Sequence, residues 1–243
     1  MQLMVNISVI IPAYNEEKRL GQNLAKILAF LNMKRYNYEV IIVNDASTDG
    51  TAGVAEDFRK KNKRVNIVNL RHKKAGNTKG LAVKQGMLHA KYDLALFTDS
   101  DKSTPITELD KLMRFIDDYD VVIGSRSIKG ANVKVHQPFL RELMGKIFNK
   151  IVRILTVKGI VDTQCGFKLF RDCRQLFRKQ LIMGWAFDVE LLFLAQKSGK
   201  KIKEVPVVWI NDPNTKVHAI RSAIQMFQQV LQVRMNWMLG KYR

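Results

Sequence analysis

Short β-branched runs and helical stripes of apolar residues alternate through the first half of the chain. "ISVIIPAY" (7–14) is a β-branched run closed by a proline and predicts a strand. In "NEEKRLGQNLAKILAFLNM" (15–33), Leu20, Leu24, Ile27, Leu28 and Leu31 recur at helical spacing. "YEVIIVNDAS" (38–47) predicts a second buried strand. "STDGTAGVAEDFRKK" (47–61) predicts a second helix, capped by Ser47 or Thr48 and with acids in its first turn. A strand at 65–70, a helix at 79–90, a strand in "DLALFTD" and a strand at 120–126 continue the series. Alternation of this kind implies parallel βαβ units and an α/β sheet.

The second half reads differently. Residues 138–160 carry an apolar stripe at Leu140, Leu143, Met144, Ile147, Ile151 and Leu155, with Arg141, Lys146, Lys150, Arg153 and Lys158 on other faces. Residues 218–243 repeat the pattern with Ile220, Ala223, Ile224, Phe227, Val230 and Leu231, and place Trp237 where an interfacial aromatic could sit. Such basic amphipathic helices either lie on an anionic membrane or pack on their own domain, and both readings stay open. No stretch is as long and uncharged as a membrane span requires, and the start of the chain lacks the pattern of a signal peptide.

Charge sharpens the contrast. The 243-residue chain has a formal net charge of +19, distributed unevenly. Residues 1–128 carry 20 Lys/Arg against 15 Asp/Glu, whereas residues 129–243 carry 21 against 7. That bias points to an anionic partner: nucleic acid, an acidic membrane surface or a phosphorylated substrate. Two cysteines, Cys165 and Cys173, form neither a disulfide framework nor a CxxC pair and imply reduced thiols in a cytosolic protein.

In an open parallel sheet, ligands gather at the carboxyl ends of the strands. The four predicted strand ends supply Tyr14, Glu16, Asp45, Lys79, Asp99 and Asp101 to one edge. Asp99 and Asp101 form a D-x-D pair in "TDSD", directly behind an apolar strand. A lone D-x-D is common in turns. At a strand end in a basic chain it also suits a hard divalent cation, which one or two carboxylates hold against substrate phosphates. Neither a P-loop nor a dinucleotide fingerprint is present, the four histidines lack ligand spacing, and no G-x-S-x-G occurs.

"VIIPAYNEEKRL", "VNDASTDGT", "TDSDKST", "VVIGSR", "DTQCGFKLF" and "GWAFDVELLFLA…EVPVVW" together resemble the inverting nucleotide-sugar glycosyltransferases of GT-A fold. Within that group the chain is most similar to the polyprenyl- and dolichyl-phosphate hexose synthases. "DTQCGFKLF" with "WAFDVELL" is the most specific pair and points to the dolichyl-phosphate glucosyltransferase branch. The resemblance implies an α/β fold: a GT-A-type, Rossmann-like, mostly parallel sheet flanked by helices. Residues 1–217 would form the catalytic domain and 218–243 a C-terminal amphipathic helix.

The resemblance also implies roles. Pro12, Tyr14, Glu16, Asp45, Lys79, Asp99, Ser100 and Gln164 would bind the nucleotide sugar, and Asp99 and Asp101 would hold Mg²⁺ or Mn²⁺. Arg126, Lys216 and, as a weaker candidate, Arg141 would bind the acceptor phosphate. Asp188 would border the sugar with Gln164. Asp188 or Glu190 would serve as base only if the acceptor were a hydroxyl. Thr78 departs from the family's usual glycine, and Ser103 stands where the mannose branch has a third metal ligand. The implied reaction is metal-dependent inverting transfer of a hexose from UDP-glucose or GDP-mannose to a polyprenyl or dolichyl phosphate. It would take place on the cytoplasmic face of an anionic membrane, the protein being either complete and peripheral or a shortened form of a longer membrane protein. Two rival readings are transfer to a sugar hydroxyl in polysaccharide synthesis and a basic nucleic-acid-binding protein. The second is disfavoured because aromatics do not interleave a basic stripe, so no nucleic acid is expected.

Overall fold

The computed structural model describes residues 5–71, 78–135, 152, 155–210 and 219–243. The strands are β1 (Asn6–Ala13), β2 (Asn37–Asn44), β3 (Val65–Asn69), β4 (Leu94–Thr98), β5 (Val121–Ser125), β6 (Asn132–Val135), β7 (Phe167–Arg171), β8 (Ile202–Pro206) and β9 (Val208–Ile210). The helices are α1 (Glu17–Met33), α2 (Thr51–Lys61), α3 (Lys79–His89), α4 (Leu109–Met113), α5 (Arg174–Lys179), α6 (Phe187–Lys197) and α7 (Ala219–Met238). Seven strands form one sheet in the order β3-β2-β1-β4-β7-β5-β8, and β6 pairs with β9 in a small second sheet.

The continuous apolar runs of β1 and β2 follow from burial on both faces of the sheet. Side chains alternate across a strand. Ile7, Val9 and Ile11 therefore join Leu20, Leu24, Ile27 and Leu31 of α1 on one face. Ile10, Ile41 and Val43 join Ala82, Val83 and Met87 of α3 and the apolar residues of α6 on the other. Helix α3 lies so close to the sheet that a Cβ at Gly86 would come within 2.4 Å of Ile10 Cγ2. The resulting helix–sheet–helix sandwich is the expected mostly parallel α/β architecture.

One strand breaks the parallel series. β7 runs antiparallel between β4 and β5, with Thr98 opposite Phe167 and Leu94 opposite Arg171. This reversal has a functional consequence. A strand parallel to β4 would begin at the opposite edge, whereas β7 begins where β4 ends. It thereby brings residues 162–166 beside Asp99.

One expectation needs correction. The second helix starts at Thr51 with Gly50 at the N-cap, so neither Ser47 nor Thr48 caps it and its first turn holds no acid. Those two residues instead tie the loops after β1 and β2 together: Asn15 N–H donates to Ser47 Oγ, and Thr48 N–H donates to Asn15 Oδ1. The expected fifth strand is β5, which runs in the same direction as β4 and pairs parallel with β8, while β7 is inserted antiparallel between β4 and β5. Of the helix anticipated at 138–160, residues 138–151 lie outside the described residues, while Val152 is buried and Leu155 packs against the core.

Candidate active site

The C-terminal ends of β1, β2 and β4 share one edge because these strands are parallel. Each is followed by a non-glycine residue in the left-handed region: Asn15 (φ 54°), Ala46 (φ 55°) and Lys102 (φ 64°). Such conformations are uncommon outside glycine and sharply redirect the chain at each strand end. Pro12 is buried within β1, two residues beyond the last β1–β4 pair at Ile10, a position that tolerates a missing N–H. Tyr14 follows at the rim, half-buried. The Glu16 carboxylate is gripped by the guanidinium of Arg19 through two 2.6 Å contacts. Asp45 is buried, its N–H donates to the Ala13 carbonyl, and its Oδ2 accepts a 2.8 Å hydrogen bond from the Thr78 hydroxyl. The departure from glycine at 78 thus links the end of β2 to the start of α3.

The D-x-D pair sits where β4 ends. Asp99 N–H donates to the Gly166 carbonyl, and Asp99 Oδ1 lies 2.7 Å from Lys79 Nζ. Its other oxygen rests against Gly166, where an added Cβ would stand 1.8 Å from Asp99 Oδ2. Only glycine leaves room for this carboxylate. Asp101 Oδ1 accepts the Ser103 amide at 2.9 Å. Burial, then repulsion from Asp99, pushes the Asp101 carboxyl above its ordinary range. Burial opposes the charge of Lys79, but Asp99, with Asp188 and Asp101 behind it, outweighs that penalty and holds the ammonium above its usual range. Ser100 and Ser103 are buried in the same loop.

These residues suit a divalent cation of the hard type. Among the described residues no group of three or more His, Cys, Asp or Glu could hold a metal alone. Two carboxylates at a strand end are instead the donor set that Mg²⁺ or Mn²⁺ completes with substrate phosphates. Asp99 Oδ1 is a buried acceptor that already faces a cation, the Lys79 ammonium 2.7 Å away.

Behind the pair lies a second, deeper one. Lys168 of β7 is 1% exposed, its ammonium is 2.7 Å from Asp188 Oδ1, and it also donates to the Cys165 carbonyl. Lys79 and Lys168 lie 5.6 and 5.9 Å from the centroid of the Phe97 ring. Burial raises the Asp188 carboxyl against the pull of the two lysines. Glu190 has a purely structural position: its oxygens accept the Leu181 and Ile182 amides and the Tyr242 hydroxyl, so it is not a base facing the cleft. Cys165 is fully buried, which pushes its thiol up to about 12. Both cysteines are free.

Across the edge, Arg126 follows β5. Its Nε and Nη2 each donate at 2.8 Å to the carboxylate of Asp162, which is completely buried. Asp162 is held in turn, because Glu204 accepts the amides of Val161 and Asp162. Burial works against the Arg126 charge, but Asp162 more than compensates and keeps the guanidinium firmly protonated. Trp209 lies beneath it, 5.3 Å from ring centroid to guanidinium carbon. A guanidinium has more N–H donors than this pair uses. Gln164 donates to the sulfur of Met226 on α7 and so sits between the cleft and the C-terminal helix. Arg141 and Lys216 lie outside the described residues.

Asp162, Gly166, Lys168 and Glu204 emerge as site residues that sequence reasoning gave no individual role. Lys168 carried the clearest signal, a lysine inside the apolar run "FKLF". A charge in a buried strand needs a partner.

Comparison with known proteins identifies the family and the fold. Residues 8–176 match the model of glycosyl transferase family 2. The dolichyl-phosphate beta-glucosyltransferase of Dictyostelium discoideum is 37% identical over 98% of this chain and 77% of its own length. The human enzyme of the same name is 32% identical over 98% and 77%, and ALG5D of Trichomonas vaginalis 36% over 96% and 75%. Among solved structures, mannosyl-3-phosphoglycerate synthase from Rubrobacter xylanophilus superposes with a TM-score of 0.70 at 19% identity, covering 98% of this chain and 75% of that one. Glucosyl-3-phosphoglycerate synthase from Mycobacterium tuberculosis, solved with Mn²⁺, UDP and glucosyl-3-phosphoglycerate, gives 0.68 at 18% identity, covering 98% and 80%. The structural likeness establishes the GT-A fold, and the sequence match across more than half of the chain establishes the lineage. The chain belongs to glycosyl transferase family 2.

Proposed function

We propose that this glycosyltransferase moves a glucosyl unit from UDP-glucose to a dolichyl or polyprenyl phosphate, inverting the anomeric centre. Mannose from GDP-mannose is the secondary donor. The observation that carries the reading is the placement of the Asp99–Asp101 pair and the Arg126–Asp162 clamp on one sheet edge. Relatives that share most of this chain's length bear the name dolichyl-phosphate beta-glucosyltransferase, which supports the choice of donor and acceptor.

Departure of a nucleoside diphosphate builds negative charge. A Mn²⁺ or Mg²⁺ ion held by Asp99 and Asp101 would supply Lewis-acid stabilisation of that charge. Lys79 adds a second positive charge beside the same carboxylates. Pro12, Tyr14, Asp45 and Ser100 border the cleft where the nucleotide would lie. Arg126, stiffened by Asp162 and Trp209, offers its remaining N–H donors to the acceptor phosphate. Preorganised guanidinium donors suit a phosphate well. A phosphate acceptor is already anionic, so no general base is required, in keeping with the structural engagement of Glu190 and the ion pairing of Asp188.

The acceptor's chain lies in a bilayer, so the enzyme must come to the surface. Residues 218–243 contain no acidic residue, and α7 presents exposed Ile224, Phe227, Leu231, Met235 and Met238. We assign residues 1–217 to the catalytic domain and the exposed face of 218–243, whose other face packs on that domain through Val230 and Val233, to membrane contact on the cytoplasmic face. No described helix is long and apolar enough to cross a membrane.

The test is a donor screen with UDP-glucose and GDP-mannose, Mn²⁺ or Mg²⁺, and dolichyl phosphate or 3-phosphoglycerate as acceptor. Glucosylated lipid phosphate, detected by mass, is the expected product. Exclusive glycosylation of 3-phosphoglycerate would overturn the acceptor assignment.

A further inference from the structure

Lys79 stands on the oxygen that a metal ion would need. Its ammonium is 2.7 Å from Asp99 Oδ1. Asp99 cannot offer a different face easily. Its Oδ2 fills the space left by the absent side chain of Gly166, and its own amide is fixed on the Gly166 carbonyl. Two cations of like charge would therefore contend for one oxygen.

Asp188 is the next most influential carboxylate on Lys79 after Asp99. The four groups form an alternating row, Lys168–Asp188–Lys79–Asp99, whose two outer pairs each measure 2.7 Å. Lys168 is fully buried and anchored at both the Cys165 carbonyl and Asp188, so it cannot leave. Lys79 is partly exposed on a long, flexible stem and can.

We propose that Lys79 is a resident cation that neutralises Asp99 before substrates bind, and that arrival of a divalent ion displaces it from Asp99 toward the donor diphosphate. The inference rests on the assignment of Asp99 and Asp101 as metal-holding residues. It adds an ordered exchange: one positive charge is always present at the end of β4, and metal loading frees a lysine for the donor's phosphates. The lysine also restrains the metal, because ion binding must first break the pair.

The experiment is a Mn²⁺ titration of the full chain without nucleotide, reading free Mn²⁺ by electron paramagnetic resonance. Lys79→Gln should bind Mn²⁺ about fivefold more tightly than the unaltered protein, in line with a partly exposed ion pair. Lys79→Arg, which keeps the charge, should match the unaltered protein. Binding seen only in Lys79→Gln would support the exchange most strongly. Equal or weaker affinity in Lys79→Gln overturns the proposal while leaving the metal site standing. No Mn²⁺ binding in any of the three proteins overturns the proposal, because the ion alone then does not displace the lysine, and leaves the metal site to be judged with the donor's phosphates present. A second readout uses the unaltered protein: Mn²⁺ alone should change the acetylation rate of Lys79, followed by peptide mass mapping. A rate indifferent to Mn²⁺ overturns the displacement.

Discussion

Gly166 shows how much of this site depends on a side chain that is missing. Asp99 Oδ2 occupies the volume that any other residue at 166 would fill, so Gly166→Ala must push the carboxylate aside. A displacement on the order of 1 Å can cost about a hundredfold in rate. Overpacking of this kind costs roughly 1–3 kcal/mol of stability. Gly166→Ala should therefore lose sugar transfer by about a hundredfold while still melting cooperatively a few degrees lower. Steady-state kinetics and thermal denaturation measure the two effects, and full activity would show that Asp99 need not sit where it does. Asp99 and Asp101 were legible in the sequence because the pair, common enough in turns, stands here at a strand end of a basic chain, on the edge where the other polar strand ends gather. Lys168, Asp162 and Glu204 were not legible as individuals. Each acquires its role from a partner between 20 and 42 residues away, and a single sequence does not print such pairings.

Strands β1, β2 and β4 were readable as short apolar runs because they are buried on both faces, and α1 from its helical stripe, whereas the short helix α4 was not anticipated. β7 was not readable as a reversed strand. Its five residues, "FKLFR", have no periodicity that distinguishes direction, and the reversal is set by its neighbours β4 and β5. The start of α2 was misplaced for a related reason: Ser47 and Thr48 are good capping residues, but their hydrogen bonds go across to the loop after β1. Helix α7 resolves a choice that the sequence left open between packing and exposure, because its apolar residues divide. Val230 and Val233 are buried, and Trp237 packs edge-on against Phe193 of α6, with ring centroids 5.5 Å apart. Phe227 and Leu231 remain 40% and 42% exposed on another stripe. Burying a large apolar side chain in a bilayer surface is worth about 1.5–3 kcal/mol. The protein should sediment with anionic liposomes at low salt and leave them at high salt. Phe227→Ser combined with Leu231→Ser should weaken that binding at least tenfold with little change in melting temperature. Equal sedimentation with neutral vesicles would argue against an electrostatic contribution.

At the scale of the whole molecule, the fold sorts charge by position. Asp99 and Asp101 stand at the end of β4, while the excess of basic residues falls in the second half, which includes the acid-free segment 218–243. Long-range attraction can then gather anionic substrates and an anionic surface, and the few carboxylates at the strand end select the cation. The Arg126–Asp162 pair illustrates the same economy of charge. The guanidinium is held rigid by a buried carboxylate that lowers its mobility without consuming all its donors. Asp162 itself is held below its ordinary range: burial raises its carboxyl, but Arg126 pulls it down further. With the folded value below the unfolded one, its contribution to stability is present at neutral pH and is lost as pH falls through the folded value.

All of this depends on the donor's diphosphate lying at the tip of β4. The most direct check is a crystal soaked with UDP-glucose and Mn²⁺, with anomalous scattering recorded at the manganese edge. A manganese peak in coordination contact with Asp99 or Asp101, and with the UDP phosphates on its far side, is the expected result. A peak elsewhere in the molecule, or a nucleotide bound away from this strand end, would contradict it.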